Sequence, residues 1–393
     1  MKAAWLSVGL GALAVVACGS SGEGTNKPGN TAGSSSGGSA GTTGSAGLGT
    51  GGSQNQSGSG TGGSAGSNAS GSGNGGAAGG TAAMGFQCPA GAAVMPVLTG
   101  LAPVRVEGVP PADAFNNMNN DFSNIEGDVW IGDALYVSEI STTNAQQGQP
   151  PPGRVLKITA DDQVSVLLPD SGSNGLAVNA AGELFGAIHK DGSISKLSLM
   201  GGAAVPVASM FMGMRFDSPN DLTIHGNGTI YFTDPNFQAP MPLPQAATRA
   251  YRVPPGGQPE AIEPDVNLTN PNGITLSKNQ DFLYIGGGQL KKYPVMADGS
   301  LGAGTTFVEG GHGDGMVIDC VDNLYVAPGG AGPINVYSPA GQSIGTITVT
   351  GIEQITNVAF GGADHKTLYV SGQGGKTGKG LFKIPMNVAG FPY

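Results

Sequence analysis

The stretch NGITLSKNQDFLYIG, residues 272–286, decides the fold. It opens on Asn272-Gly273, runs through Ile274 and Leu276, turns at Lys278-Asn279-Gln280-Asp281 and closes on Phe282-Leu283-Tyr284-Ile285. Side chains of a strand point to alternate faces, so each run has the period of a strand and the polar stretch between them the chemistry of a hairpin turn. The same phrase returns as NGLAVNAAGELFGAI from Asn174, NDLTIHGNGTIYFTD from Asn220, DGMVIDCVDNLYVAP from Asp314 and NVAFGGADHKTLYVS from Asn357, with a looser copy, EGDVWIGDALYVSEI, from Glu126. Copies begin about 40 to 52 residues apart, the spacing of one four-stranded unit after another around a ring.

A second strand pair follows each copy, such as Ala250 to Val253, or Ile334 to Tyr337 and then Ile344 to Ile347. Four strands in each of six copies predict an all-β, six-bladed β-propeller over residues 86–393, with Val97 to Val106 completing the last blade and hiding its strand edges. The one helical signal is a short turn at Pro111 to Asn117. The polar residues that lead the copies then gather at one mouth of the central channel.

Ahead of the propeller the chain changes character. Lys2, the apolar run from Ala3 to Val16 and Val15-Val16-Ala17-Cys18 predict an export signal over residues 1–18 with a lipidated Cys18, the alternative being a plain signal peptide cut after Ala17. Residues 19–85, mostly Gly, Ser, Ala, Thr and Asn, cannot bury enough apolar surface to fold and predict a disordered tether. Its coil dimension of roughly 40 to 50 Å would lift a domain off a lipid surface. These features place the propeller in the bacterial cell envelope, in the periplasm or at the cell surface, held by acyl chains and acting as a monomer. The net charge of −10 excludes nucleic acid, which demands a basic face. With Cys18 assigned to the anchor, Cys88 and Cys320 are left as either a disulfide or two separate buried thiols.

Ser218-Pro219-Asn220-Asp221 leading to Tyr231-Phe232-Thr233-Asp234-Pro235, together with Pro271-Asn272-Gly273, Asp314-Gly315-Met316 and Thr356-Asn357-Val358-Ala359-Phe360-Gly361-Gly362, resemble the signature segments of the gluconolactonase, senescence-marker and luciferin-regenerating enzyme family. The resemblance implies a six-bladed propeller with a divalent metal in its channel and hydrolysis of lactones. By the family pattern, Glu126, Asn272 and Asp314 are metal ligands and Asn220 lies near the metal or substrate, with Asp221 beside it.

The residues themselves select the same set. Glu126, Asn220, Asn272 and Asp314 each open a copy and each offers oxygen, a hard ligand set for which Ca2+ is the first choice and Zn2+, Mn2+ or Mg2+ are alternatives. Taken singly, Asn-Gly and Asp-Gly are also what turns prefer. The expected chemistry is opening of a small-molecule lactone or related ester, with the metal polarising the carbonyl and Asp314 as general base. The competing readings are a calcium-stabilised binding propeller without turnover and a phosphotriesterase-like hydrolase. Asn174, Asp221, His189 and His312 are candidates for contacting substrate, and Asn357 for bonding backbone between blades. Two departures from the family pattern stand out: Ile285-Gly286-Gly287-Gly288-Gln289 lacks the Asp and basic residues usual there, and Gly313 replaces a Pro before Asp314.

Overall fold

The computed structural model describes residues 88–90, 94–109, 122–141, 153–263, 268–373 and 379–391. The signal segment, Cys18, the tether and the turn at 111–117 lie outside them. Among the described residues there is no helix; the structure is a ring of six antiparallel, four-stranded blades, each a meander in chain order. Blade 1 comprises Phe122–Ile131, Ala134–Ser141, Gly153–Thr159 and Val164–Leu168; blade 2, Ser173–Val178, Leu184–Ile188, Ser193–Leu197 and Val205–Ala208; blade 3, Leu222–Ile224, Ile230–Asp234, Arg249–Val253 and Glu260–Ile262. Blade 4 comprises Ile274–Leu276, Phe282–Ile285, Leu290–Pro294 and Thr305–Val308; blade 5, Met316–Ile318, Leu324–Val326, Ile334–Tyr337 and Ser343–Ile347. Blade 6 takes Gln354–Gly361, Thr367–Gln373 and Lys379–Pro385 from the end of the chain and Val104–Arg105 from its beginning, with Val104 opposite Lys383 and Arg105 opposite Phe382. This is the closure that the sequence anticipates for Val97 to Val106.

Both faces of a blade are buried, which is why the inner strands are apolar at nearly every position. Alternation then decides which neighbour a side chain meets: Leu283 and Ile285 pack toward blade 3, while Tyr284 between them packs toward blade 5. The core is accordingly a set of inter-blade clusters, one in each gap of the ring, including the gap between blades 6 and 1 where Trp130 stacks on Tyr369 at 5.8 Å. Tyr231, Tyr251, Tyr284, Tyr293 and Tyr325 are fully buried. Trp130 and Met316 are core, as the sequence suggests.

The glycine after the leading polar residue has a steric cause. Six inner strands converge on one axis, and a Cβ on Gly273 would lie 1.9 Å from the Asp314 carbonyl oxygen of the next blade; one on Gly175 would lie 2.6 Å from the Asp221 Cα. Gly127 and Gly315 meet Asn174 and Asn357 in the same way, so the glycines are where successive blades touch. Hydrogen bonds run round the same ring: Gly175 N donates to Asn220 O at 2.6 Å, Gly315 N to Thr356 O at 2.9 Å, and the Thr356 hydroxyl to Ile125 O of blade 1 at 2.7 Å.

Cys88 and Cys320 form a disulfide, which settles the alternative left open by the sequence. It ties the segment before the first described strand to the turn between the first two strands of blade 5.

Candidate functional site

Of the six leading residues, Glu126, Asn174 and Asn357 lie within the innermost strands and Asn220, Asn272 and Asp314 just before them, and the glycines that follow bring neighbouring blades into contact. What the leading side chains do there differs from blade to blade.

Three of them converge. Glu126 is buried, and Asn124 Nδ2 donates to its Oε1 at 3.0 Å. Burial pushes its carboxyl well above the ordinary carboxylate range, and the carboxylates of Asp314, Asp128 and Asp221 push the same way, while the Asn124 amide pulls back. Asp314, buried in blade 5, is likewise raised by burial and then by the Asp221 carboxylate, against the opposing Gly315 amide and the Asn272 side chain. The Asn272 amide therefore lies beside the Asp314 carboxyl, and its Oδ1 is buried with no hydrogen-bond partner. Acidic and amide oxygens from blades 1, 4 and 5 thus face one space, and no cationic side chain is among the groups that act on Glu126 or Asp314.

Two other polar residues at the mouth, Asp221 and Asn357, bond the backbone. Asp221, a candidate for contacting substrate, accepts the Leu222 N–H at its Oδ1 at 2.9 Å and the Ile274 N–H at its Oδ2 at 3.0 Å, joining blade 3 to blade 4 while its charge acts on Glu126 and Asp314. Burial raises its carboxyl to about 7. Asn357 does not bridge blades through its side chain: Oδ1 accepts the Val358 N–H of its own strand at 2.7 Å, and the neighbouring Thr356 makes the bond to blade 1. Asn and Asp side chains readily close on a neighbouring backbone amide in this way.

Asn220 leads blade 3, nearly buried; its backbone is held by Thr233 O and by Gly175 N, and its side chain makes no hydrogen bond to a described residue. Asn174 is buried against Gly127. His189 is buried between blades 2 and 3, where its carbonyl accepts from Arg215 Nη2 at 3.2 Å. His312 is exposed, two residues before Asp314. Asp234 is a rim anchor: Oδ2 accepts Asp217 N at 3.0 Å and Oδ1 accepts Ser218 N at 2.7 Å.

One participant escaped the sequence reading. Asp128 is buried in the same inner strand as Glu126, its carboxyl raised to about 7 by burial and drawn back only in part by the Ser371 hydroxyl. The pairing slips between Glu126 opposite Ser138 and Val129 opposite Tyr136, two residues, Gly127 and Asp128, facing one, Val137, with Gly127 at φ 63°. That bulge re-aims the strand beside the site. The signal available was the Glu-Gly-Asp run itself, whose spacing breaks the period of two.

A cation of the kind expected fits these residues. A buried amide oxygen without a donor and carboxylates that repel one another without a positive side chain are what an oxygen-binding ion would satisfy. Among the described residues no three His, Cys, Asp or Glu side chains alone form a metal cluster, so such a site depends on the amides as well.

Fold and mouth together define a six-bladed propeller with an oxygen-lined channel entrance. Residues 115–373 match the SMP-30/Gluconolactonase/LRE-like region, and the chain belongs to that family. It is 29% identical over 283 residues to a gluconolactonase of Zymomonas mobilis, covering 63% of this chain and 75% of that one. It is 27% identical over 220 residues to a pentonolactonase of Haloferax volcanii, covering 53% and 72%. The structure superposes on a gluconolactonase of Xanthomonas campestris with a TM-score of 0.59 and 25% identity, covering 74% of this chain and 91% of the other. The protein is thus a lactonase-like propeller.

Proposed function

We propose that the protein is a divalent-metal-dependent hydrolase of lactones, opening the ring ester with water to give the hydroxy acid. The buried, unpartnered Oδ1 of Asn272 beside Asp314, in the field of Glu126, is the observation that carries the reading. Glu126, Asn272 and Asp314, with Asn220 at the edge of the set, would hold the cation, Ca2+ first. When bound, it would polarise the ester carbonyl and offset charge developing on its oxygen. Asp314 takes a proton from water as the water oxygen attacks the carbonyl carbon; the ring C–O bond breaks and that proton passes to the leaving ring oxygen. The Asn272 amide orients the Asp314 carboxylate. Lipidation of Cys18 and the 19–85 tether would set this activity in the cell envelope, on small-molecule lactones diffusing to a monomer.

Replacing Asp314 with Asn keeps the shape and removes the base. With calcium in excess, kcat on a panel of lactones should fall by about 10³-fold while the circular dichroism spectrum is unchanged. Ordinary turnover by a folded Asp314→Asn protein would end the mechanism.

A further inference from the structure

Between blades 2 and 3 the chain forms a small extra hairpin, Met210–Phe211 paired with Met214–Arg215. Phe211 turns inward onto Tyr251 at 5.0 Å, whereas Met210, Met212 and Met214 are exposed, Met212 by 83%. The loop between the second and third strands of blade 3 exposes Phe237, Met241 and Leu243 next to it, Met241 by 76%. The two segments are one built structure. Gln245 Nε2 donates to the carbonyls of Phe211, Met214 and Arg215, and Gln245 N donates to Asp217 Oδ1. The Ser218 hydroxyl donates to Gln238 Oε1, and Asp234 holds both Asp217 and Ser218. Ser218 is two residues from Asn220, so this apolar lip stands on the rim of the same mouth.

An exposed cluster of this kind on an otherwise polar rim marks a binding surface, and methionine, unbranched and polarisable, suits an irregular aliphatic partner. Four of the chain's 12 methionines lie in these two short stretches, which carry no charged side chain from 209 to 214 or from 237 to 243. Gln238, their one amide, is already bonded to Ser218. On the adjoining rim of blade 4, Gly286-Gly287-Gly288 offers no side chain to a hydroxyl group. A polyhydroxylated ring finds few partners on this side of the mouth, and an alkyl chain finds a surface.

We infer that the lip seats the hydrocarbon tail of the substrate, making the preferred substrates alkyl-substituted lactones rather than sugar lactones. The inference rests on the lactone-hydrolase reading above. The ring ester would lie at the mouth and its tail across Met210, Met212, Met214 and Met241.

The test compares γ-butyrolactone, γ-hexalactone, γ-decalactone and gluconolactone on the full chain with calcium present. A methylene fully removed from water is worth about fourfold in binding, and one half-covered about twofold, so kcat/KM should rise roughly 50-fold from γ-butyrolactone to γ-decalactone. The double variant Met212→Ser, Met241→Ser should bring the decalactone-to-butyrolactone ratio down to a few, and Met212→Leu, Met241→Leu should retain it, both with unaltered melting temperatures. A ratio that is flat in the unmodified protein, or gluconolactone as the best substrate, overturns the inference and leaves the hydrolase reading standing. No turnover of any lactone would end the hydrolase reading itself, and the inference with it. A flat ratio together with retention on phosphatidylglycerol vesicles that the serine variant loses would assign the lip to a lipid surface and overturn the tail site.

Discussion

Asp221 and Asp314 both stand at the inner ends of their blades, Asp314 at the position that leads blade 5 and Asp221 one residue past the Asn220 that leads blade 3, and the structure uses them in opposite ways. Asp221 gives its oxygens to the backbone amides of Leu222 and Ile274, locking two blades together. Asp314 lies beside the Asn272 amide and faces Glu126 across the mouth. The repeat therefore supplies a ring of polar side chains, of which the scaffold takes some and leaves the others to face the mouth. The difference is one of register: Asp221 takes the place that Gly315 holds in blade 5, directly before the first strand residue, so its side chain lies over the next amide and reaches the following blade.

The comparison can be broken at its foundation by adding one methyl group. Gly273→Ala would put a Cβ 1.9 Å from a backbone oxygen of blade 5, where no flexible side chain can yield. We expect a loss of about 3–5 kcal/mol, read as a shifted denaturation midpoint. A variant as stable as the parent would show that the inner strands are not packed at the limit described.

A smaller effect separates the two carboxylates. Asp221→Ala strands the Ile274 and Leu222 amides and should lower stability by about 2–4 kcal/mol in chemical denaturation. Asp314→Asn should leave the melting temperature nearly unmoved. Equal stability losses in the two variants would erase the distinction between scaffold and site.

The smallest effect is in pH. Burial raises the carboxyls of Asp128, Asp221 and Asp234 to about 7 in the folded protein, far above the ~3.9 of an unfolded chain. Between these values the native state keeps protons that the unfolded state has released, so stability should fall as pH rises from about 4 to 7 and then level off. Thermal melts in chelator across that range test the sign, and added calcium should flatten the slope. Melting temperatures that climb over the same interval would contradict it.

Much of this was legible in the sequence because a propeller repeats itself. Alternation within each copy gave the strands, and Val97 to Val106 was recognisable as the missing piece of blade 6. The polar-Gly step also marked the axis, though its cause, the close approach of Gly175 and Gly273 to the next blade, needs three dimensions. Which acidic residue at the mouth is free was not legible: Asp221 and Asp314 are told apart by their hydrogen-bond partners, which the sequence does not display. Asp128 was hidden by a bulge, and the pairing of Cys88 with Cys320 by a sequence separation of 232.

The central claim is that oxygens from separate blades hold one divalent cation at the mouth, and calorimetric titration of calcium into the metal-stripped protein tests it directly. The account predicts one ion per chain, with binding weakened at least roughly tenfold by Glu126→Gln and by Asp314→Asn, each in a protein that still folds. No calcium, zinc, manganese or magnesium binding, or binding that both variants leave untouched, would contradict it.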